Sequence, residues 1–260
     1  MADATGILVD RRDGFAVVSI SNPAKRNALD PGILGDLETA LDGLAREDVR
    51  VVVLRGAGTR VFSSGYDIGA IRGGSGEEAS RHPLGRAIGA IEGYPGPVLA
   101  MAFGGAWGAA CEVLASCDLR FADEAARFAI PAGKLSVVYD AAGIARLAAR
   151  ASMALVGELL ITARPMPAAR AHALGLLNGV HRTGELESAV LALAAEIAGL
   201  APRTLRATKS MLAALADRGG FSPTEVAHFT ALRNEALGSA DFAEGQRAFA
   251  EKRAPRFTGR

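Results

Sequence analysis

Cysteine is scarce in this chain of 260 residues: Cys111 and Cys117 are the whole complement. They lie six apart on one predicted helix, a separation that does not suit a disulfide, so a reduced thiol pair is expected. Charge of one sign is lacking as well. The formal net charge is +1, which gives no support for nucleic-acid binding or for steering of polyanions. No apolar run reaches the ~18 uninterrupted residues of a membrane span. The opening stretch MADATGILVDRRDG has neither the basic n-region nor the apolar h-region of a secretory leader, so a cytoplasmic protein with no membrane partner is expected. Histidine is sparse too: His82, His172, His181 and His228 are scattered without ligand spacing, and no metal site is expected.

What is there is apolar. Half of the residues are hydrophobic and 22% are charged, which suits one soluble globular unit with a substantial core and a smaller appended element. Phe15–Ile20 reads as a strand, and Ser21–Asn27 as the loop that ends it. Asp30 and Pro31 supply an N-cap and a first-position proline for a helix in which Leu34, Leu37, Leu41 and Leu44 recur at helical spacing. Val51–Leu54 is a short continuous apolar strand of the kind covered on both faces. Gly56 and Gly58 imitate the start of a dinucleotide fingerprint, but Val61 stands where its third glycine belongs and no helix pattern follows, so that signal is rejected. Residues 72–82 are polar and glycine-rich and read as a mobile surface segment.

Pro97–Met101 is another buried strand, and Asp118–Ala122 a further one. Residues 143–200 read as mostly helical, broken at Pro165, Pro167 and Gly175. From about Pro202 the chain is helical and more charged. Strands with intervening helices followed by a helical tail give an α/β core with a helical C-terminal element.

One carboxylate is out of place. Glu112 sits inside the apolar, glycine-rich run from Met101 to Asp118, where an ionised group is costly to bury and is rarely present for packing. The small residues before it let a ligand approach the backbone. A small-residue turn leading into a helix with a desolvated acid near its start reads as the wall of an active site. Ser63 and Ser64 have no base linked to them in sequence and do not read as hydrolase nucleophiles.

Five segments, in order and spacing, resemble the crotonase (enoyl-CoA hydratase/isomerase) superfamily over nearly the whole chain. They are Asn22-Pro-Ala-Lys-Arg-Asn-Ala-Leu29, Phe62-Ser-Ser-Gly-Tyr-Asp-Ile68, Trp107-Gly-Ala-Ala-Cys-Glu112 through Asp118, Phe128-Ala-Ile-Pro131 and Ala171-His-Ala-Leu-Gly-Leu-Leu177. The resemblance implies an α/β spiral of ββα units over residues 1–200 and a C-terminal helical trimerisation region over 201–260. It also implies a homotrimer or a dimer of trimers, and acyl-CoA thioester substrates. Coenzyme A would then enter as part of the substrate, with no resident cofactor.

The shared chemistry of that family is stabilisation of a thioester enolate by two backbone N–H groups in a water-poor site. By analogy these are the N–H of Tyr66, after Gly65, and of Ala109, after Gly108. Trp107 is a candidate pocket wall. The coenzyme A moiety is expected against Lys25, Arg26 and Ala28 and along Ser64, Gly65, Asp67 and Ile68, with Lys252 reaching the phosphates from a C-terminal helix, often a neighbour's.

A hydratase of this family works with two glutamates. Glu112 matches the first, but Ala132 stands where the second belongs, and such a group contributes ~10²–10⁴-fold. Val137-Val-Tyr139-Asp140 resembles instead the Val-Pro-Tyr-Asn stretch of methylmalonyl-CoA decarboxylases, as do Trp107 and the segment Ile161–Arg170. On this resemblance Tyr139 would orient a departing carboxylate while Tyr66 and Ala109 hold the enolate oxygen. Two positions differ from the bacterial decarboxylase: Tyr66 replaces a histidine and Asp140 an asparagine. Asp140 has two readings, a base or nucleophile as at this position in dienoyl-CoA isomerases and a dehalogenase, or the cap of a helix starting near Ala141. The expected activity is decarboxylation of a methylmalonyl-CoA-like thioester. The alternatives are a hydratase or isomerase using Glu112 and Asp140, and a non-catalytic CoA-binding protein.

Overall fold

The computed structural model describes residues 4–70, 82–218 and 220–260. Of the surface segment expected at 72–82, only His82 falls within the described residues.

The large sheet has six strands: β1 (Gly6–Arg11), β2 (Phe15–Ser21), β3 (Val51–Gly56), β4 (Val98–Ala102), β6 (Leu119–Asp123) and β9 (Gly179–His181). β1 and β2 form an antiparallel hairpin, and every later neighbour is parallel. Parallel order requires a crossover between strands. α1 (Pro31–Arg46), α2 (Pro83–Gly93) and α3 (Ala109–Ala115) provide the first three.

Both faces of this sheet are covered, which explains the uninterrupted apolar runs. Val52 and Leu54 pack with the leucines of α1 on one side, whereas Val51 and Val53 pack on the other against Leu186, Val190 and Ala194 of α7 (Leu186–Ala198). The start of α1 follows the sequence: Asp30 caps it by accepting a bond from the Ile33 N–H, and Pro31 occupies its first turn.

A second, shorter layer was not legible. β5 (Gly105–Trp107), β7 (Arg127–Ala129) and β8 (Met166–Pro167) form a three-stranded sheet. Single bridges extend it, Ser63 to Ala106 and Leu29 to Tyr66, both parallel. Each turn of the chain therefore runs from a long strand into a short extended segment and then a helix, the ββα spiral implied by the resemblance. The short layer lines up one segment from each turn, so residues distant in sequence, such as Ser63 and Ala106 or Ala106 and Phe128, become neighbours.

Beyond it lie α4 (Ala141–Arg150), α5 (Met153–Thr162) and α6 (Ala168–Ala173). Residues 143–200 are mostly helical as expected, with β8 at the expected break around Pro165 and Pro167 and β9 as a strand that was not expected. Gly179 lies close to a neighbour: a Cβ there would come 3.1 Å from the Phe121 ring. The tail forms α8 (Pro202–Arg218), α9 (Pro223–Leu237) and α10 (Ala240–Glu251). Lys209 of α8 docks it on the core, pairing with Asp118 at 2.8 Å and donating to the carbonyls of Ile91 and Gly96. Arg50 donates to the Phe257 carbonyl at 2.9 Å. No single helix among the described residues is long and apolar enough to cross a membrane.

Candidate active site

The site forms where the short layer hands over to helices. In the second turn, the bridge between Leu29 and Tyr66 is made by the Leu29 N–H to the Gly65 carbonyl (2.8 Å) and the Asp67 N–H to the Leu29 carbonyl (2.8 Å). Alternation along an extended segment then turns the N–H of Tyr66 to the opposite side from its bonded neighbours. In the third turn, Ala109 is the first residue of α3, where an N–H has no carbonyl of its own helix to meet.

Gly65 and Gly108 permit this geometry. Gly65 has φ +94, and a Cβ on it would lie 2.4 Å from the Trp107 carbonyl oxygen and 3.6 Å from the Ala109 nitrogen. Gly108 has φ +53 and donates to the Ala129 carbonyl at 2.8 Å. The structure thus places the Gly65–Tyr66 turn against Trp107, Gly108 and Ala109. Trp107 is half-buried between these turns.

Glu112 lies one turn into α3 and is 5% exposed. Its carboxylate rests over Gly143 of α4, with a Cβ there predicted to meet both oxygens within 2.8 Å. Arg146, one turn further along α4, donates from Nη1 to Glu112 Oε2 at 3.0 Å. Arg146 also approaches Glu92 of α2, Nε to Oε1 at 3.4 Å, and Arg150 reaches the same oxygen at 3.7 Å. Burial pushes the Glu112 carboxyl above the ordinary range. The Tyr139 hydroxyl and Arg146 act in the opposite direction, and the Asp140 charge adds to the rise.

Tyr139 is half-buried, with its hydroxyl oxygen fully enclosed beside that carboxylate, yet among the described residues no hydrogen bond of standard geometry satisfies it. Burial, and then the Glu112 charge, push its ionisation far up, so it stays a neutral phenol. Asp140 adopts the capping arrangement: it is exposed at the N-cap of α4, and its Oδ2 accepts from the Gly143 N–H at 3.3 Å. Its charge is still felt at Glu112. Ala132 opens a short 3-10 helix, Ala132–Leu135, and packs against the core.

The loop from Asn22 to Leu29 is tied to the same layer. Asn27 donates to the carbonyls of Ala57 and Val61, each at 3.1 Å, and accepts from the Asn22 N–H. Ala28 is buried. Ser64 donates through Oγ to the Lys25 carbonyl and through N to the Arg26 carbonyl. Lys25 pairs with Asp67 at 2.6 Å, which raises the lysine and lowers the aspartate from their ordinary values. Arg26 and Ile68 are exposed. Lys252 does not join this group within one chain. It is exposed at the C-cap of α10 with φ +54.

Arg146 and Glu92 were not singled out from the sequence. The available signal was spacing: Gly143, Arg146, Leu147 and Arg150 fall on one helical face. Among the described residues, no three His, Cys, Asp or Glu side chains form a metal-binding group.

A family model described as enoyl-CoA hydratase/isomerase matches residues 10–260. Methylmalonyl-CoA decarboxylase of Escherichia coli is 35% identical over 246 residues, which cover 94% of each chain. Among solved structures, an enoyl-CoA hydratase/carnithine racemase from Magnetospirillum magneticum superposes with a TM-score of 0.91 at 30% identity, covering 99% of this chain and 97% of that one. A methylmalonyl-CoA decarboxylase complexed with 2S-carboxypropyl CoA superposes with a TM-score of 0.78 at 33% identity, covering 99% and 100%.

Proposed function

Because the chain belongs to the enoyl-CoA hydratase/isomerase family, whose crotonase fold it shares, we propose that it decarboxylates a methylmalonyl-CoA-like thioester. The observation that carries this reading is one buried carboxylate, Glu112, beside an enclosed and unsatisfied phenol, Tyr139, with alanine at 132. Delivery of water by two carboxylates lacks its second acid/base group. Loss of carbon dioxide needs no such pair.

In the proposed reaction the bond from Cα to the carboxylate breaks. Its electron pair becomes the Cα–C1 double bond of an enolate, with the charge on the thioester oxygen. The N–H groups of Tyr66 and Ala109 hold that oxygen, where charge develops. The Tyr139 hydroxyl donates to the departing carboxylate and turns it out of the thioester plane. A proton from solvent water, added at Cα, completes the reaction and leaves hydroxide to the solvent. Asp140 caps α4 and takes no part in this step, although its charge is felt at Glu112.

Lys25 and Arg26 would meet the phosphates of coenzyme A, with Lys25 exchanging Asp67 for phosphate. Ala28, Ser64, Gly65, Asp67 and Ile68 would flank the rest of the coenzyme, Trp107 and Gly108 would line the acyl end, and Lys252 would serve a neighbouring subunit's site. Residues 1–200 would then form the acyl-CoA unit and 201–260 the oligomerisation unit of a homotrimer or dimer of trimers. Support for the second role comes from Leu212, Val226, Leu237, Phe242 and Phe249, all exposed on the C-terminal helices.

The test is to incubate the protein separately with methylmalonyl-CoA and crotonyl-CoA and to follow both by mass spectrometry. Loss of carbon dioxide from the first, with the second untouched, supports the proposal; hydration of crotonyl-CoA alone overturns it. A second reading, an isomerase or hydratase in which Glu112 and Asp140 share proton transfer, is favoured by the electrostatic coupling of those two groups.

A further inference from the structure

We propose that Arg146 is a positioning residue of this site: its guanidinium fixes both the orientation and the charge of Glu112 from the α4 side. This rests on the reading that Glu112 lines the acyl pocket, but not on which thioester reacts there.

The geometry is specific. Three helices converge, with Glu92 from α2, Glu112 from α3 and both Arg146 and Arg150 from α4. Gly143 gives the Glu112 carboxylate room to lie against α4, and Arg146 meets it one turn on. The side chain of Arg146 is 20% exposed and that of Glu112 is 7%, so the pair is shielded from screening by solvent and salt. Glu92 holds the guanidinium from its other edge through Nε. A planar fork held at two edges has little freedom to turn, and the carboxylate it grips inherits that restriction.

The groups around Glu112 give Arg146 its second role. From its own helix Glu112 has Cys111, whose thiol burial pushes up to about 12. From the turn before α4 it has the neutral Tyr139 phenol and the Asp140 carboxylate. From α4 it has Arg146, backed by Glu92 and Arg150. Among the described residues Arg146 is therefore the cation in direct contact with a carboxylate that burial and Asp140 both push toward protonation. A carboxylate can accept a proton or hold a water; it cannot supply a proton. By favouring the ionised form against that push, Arg146 biases Glu112 toward the half of acid/base chemistry in which it accepts a proton.

The test reads the protonation of Glu112 without any substrate. The full-length protein is labelled with ¹³C at glutamate Cδ, and the Glu112 signal, assigned by its loss in E112Q, is titrated. In R146Q the midpoint is expected to move up by at least about one pH unit, a tenfold change in proton affinity. The acid limb of the kcat profile for whichever thioester is turned over should move with it, while KM changes little. R146K keeps the charge but loses the fork. It is expected to shift the midpoint upward by less and to lower kcat, and it keeps the test open where R146Q fails to fold. An unmoved Glu112 midpoint in folded R146Q, or an unmoved midpoint with unchanged kcat in R146K, overturns the proposal. Failure of the decarboxylase reading leaves this titration untouched and is separately recognised by its own assay.

Discussion

A Cβ added to Gly143 would stand 2.7 Å from Glu112 Oε2. No real Cβ sits that close to a carboxylate oxygen, so glycine at 143 is what allows Glu112 to lie against α4 within reach of Arg146. The first prediction is that G143A displaces the carboxylate while leaving every charge in place. Overpacking of this kind costs about 1–3 kcal/mol, and a displacement near 1 Å reduces catalysis by about 10²-fold. Thermal melting and steady-state kinetics on the same preparation check both effects.

Tyr139 separates stability from activity. Among the described residues its enclosed hydroxyl meets no partner in standard hydrogen-bond geometry, although it lies beside the Glu112 carboxylate, and an unsatisfied buried polar group costs about 1–3 kcal/mol. Y139F is expected to leave the melting temperature unchanged or raise it, while lowering decarboxylation about 10²-fold or more, the scale of losing one aimed donor. A fall in melting temperature with full activity would mean that the hydroxyl serves the fold.

Gly65 is the tightest point of the proposed oxyanion turn. Its φ of +94 and the Trp107 carbonyl 2.4 Å from any Cβ exclude a side chain. G65A is expected to spread the two turns and to lower kcat by about 10²–10³-fold, as for a lost oxyanion donor. Binding of a coenzyme A thioester, measured by calorimetry, should weaken less than kcat falls, because Asn27 also anchors the Lys25 loop to the Ala57 and Val61 carbonyls.

Ala132 offers a gain of function. A132E places a carboxylate at the first residue of the 3-10 helix beside the site. Crotonyl-CoA hydration should rise by about 10–10²-fold, part of the range that an acid/base group supplies, and decarboxylation should fall because a second anion faces the substrate carboxylate. No change in either rate would count against the assignment of the missing second carboxylate.

Burial raises the Glu112 carboxyl above its ordinary 4.5. A group raised on folding contributes stability that is full below the unfolded value and is lost as pH rises through the folded one. The melting temperature of the wild type should therefore lose ground to that of E112Q as pH increases from about 4.5. A difference that is flat in pH contradicts the raised value.

Much of this site was legible in the sequence, and the reasons are physical. Glu112 was conspicuous because its neighbours are apolar, and it is indeed buried. Val51–Leu54 read as a strand because both faces of β3 are covered, and Asp30 read as a cap because its type and position suit the first turn; for Asp140 a cap was one of two readings, and the structure shows that one. The short layer was not legible. Gly105–Trp107 and Arg127–Ala129 are three residues each, too brief for periodicity, and their partners lie in other turns of the chain. β9 was hidden for the same reason. Arg146 stayed unread because a charge on an alanine-rich helix looks like a solvated face until the fold turns that face toward Glu112.

The most direct measurement uses methylmalonyl-CoA labelled with ¹³C in its free carboxyl group, incubated with the enzyme in D₂O and followed by NMR. The account predicts that the label appears as carbon dioxide and bicarbonate, at a rate that falls sharply in Y139F, and that the propionyl-CoA formed carries one deuterium at Cα. Label that stays on the thioester, from a protein that hydrates crotonyl-CoA, would contradict it.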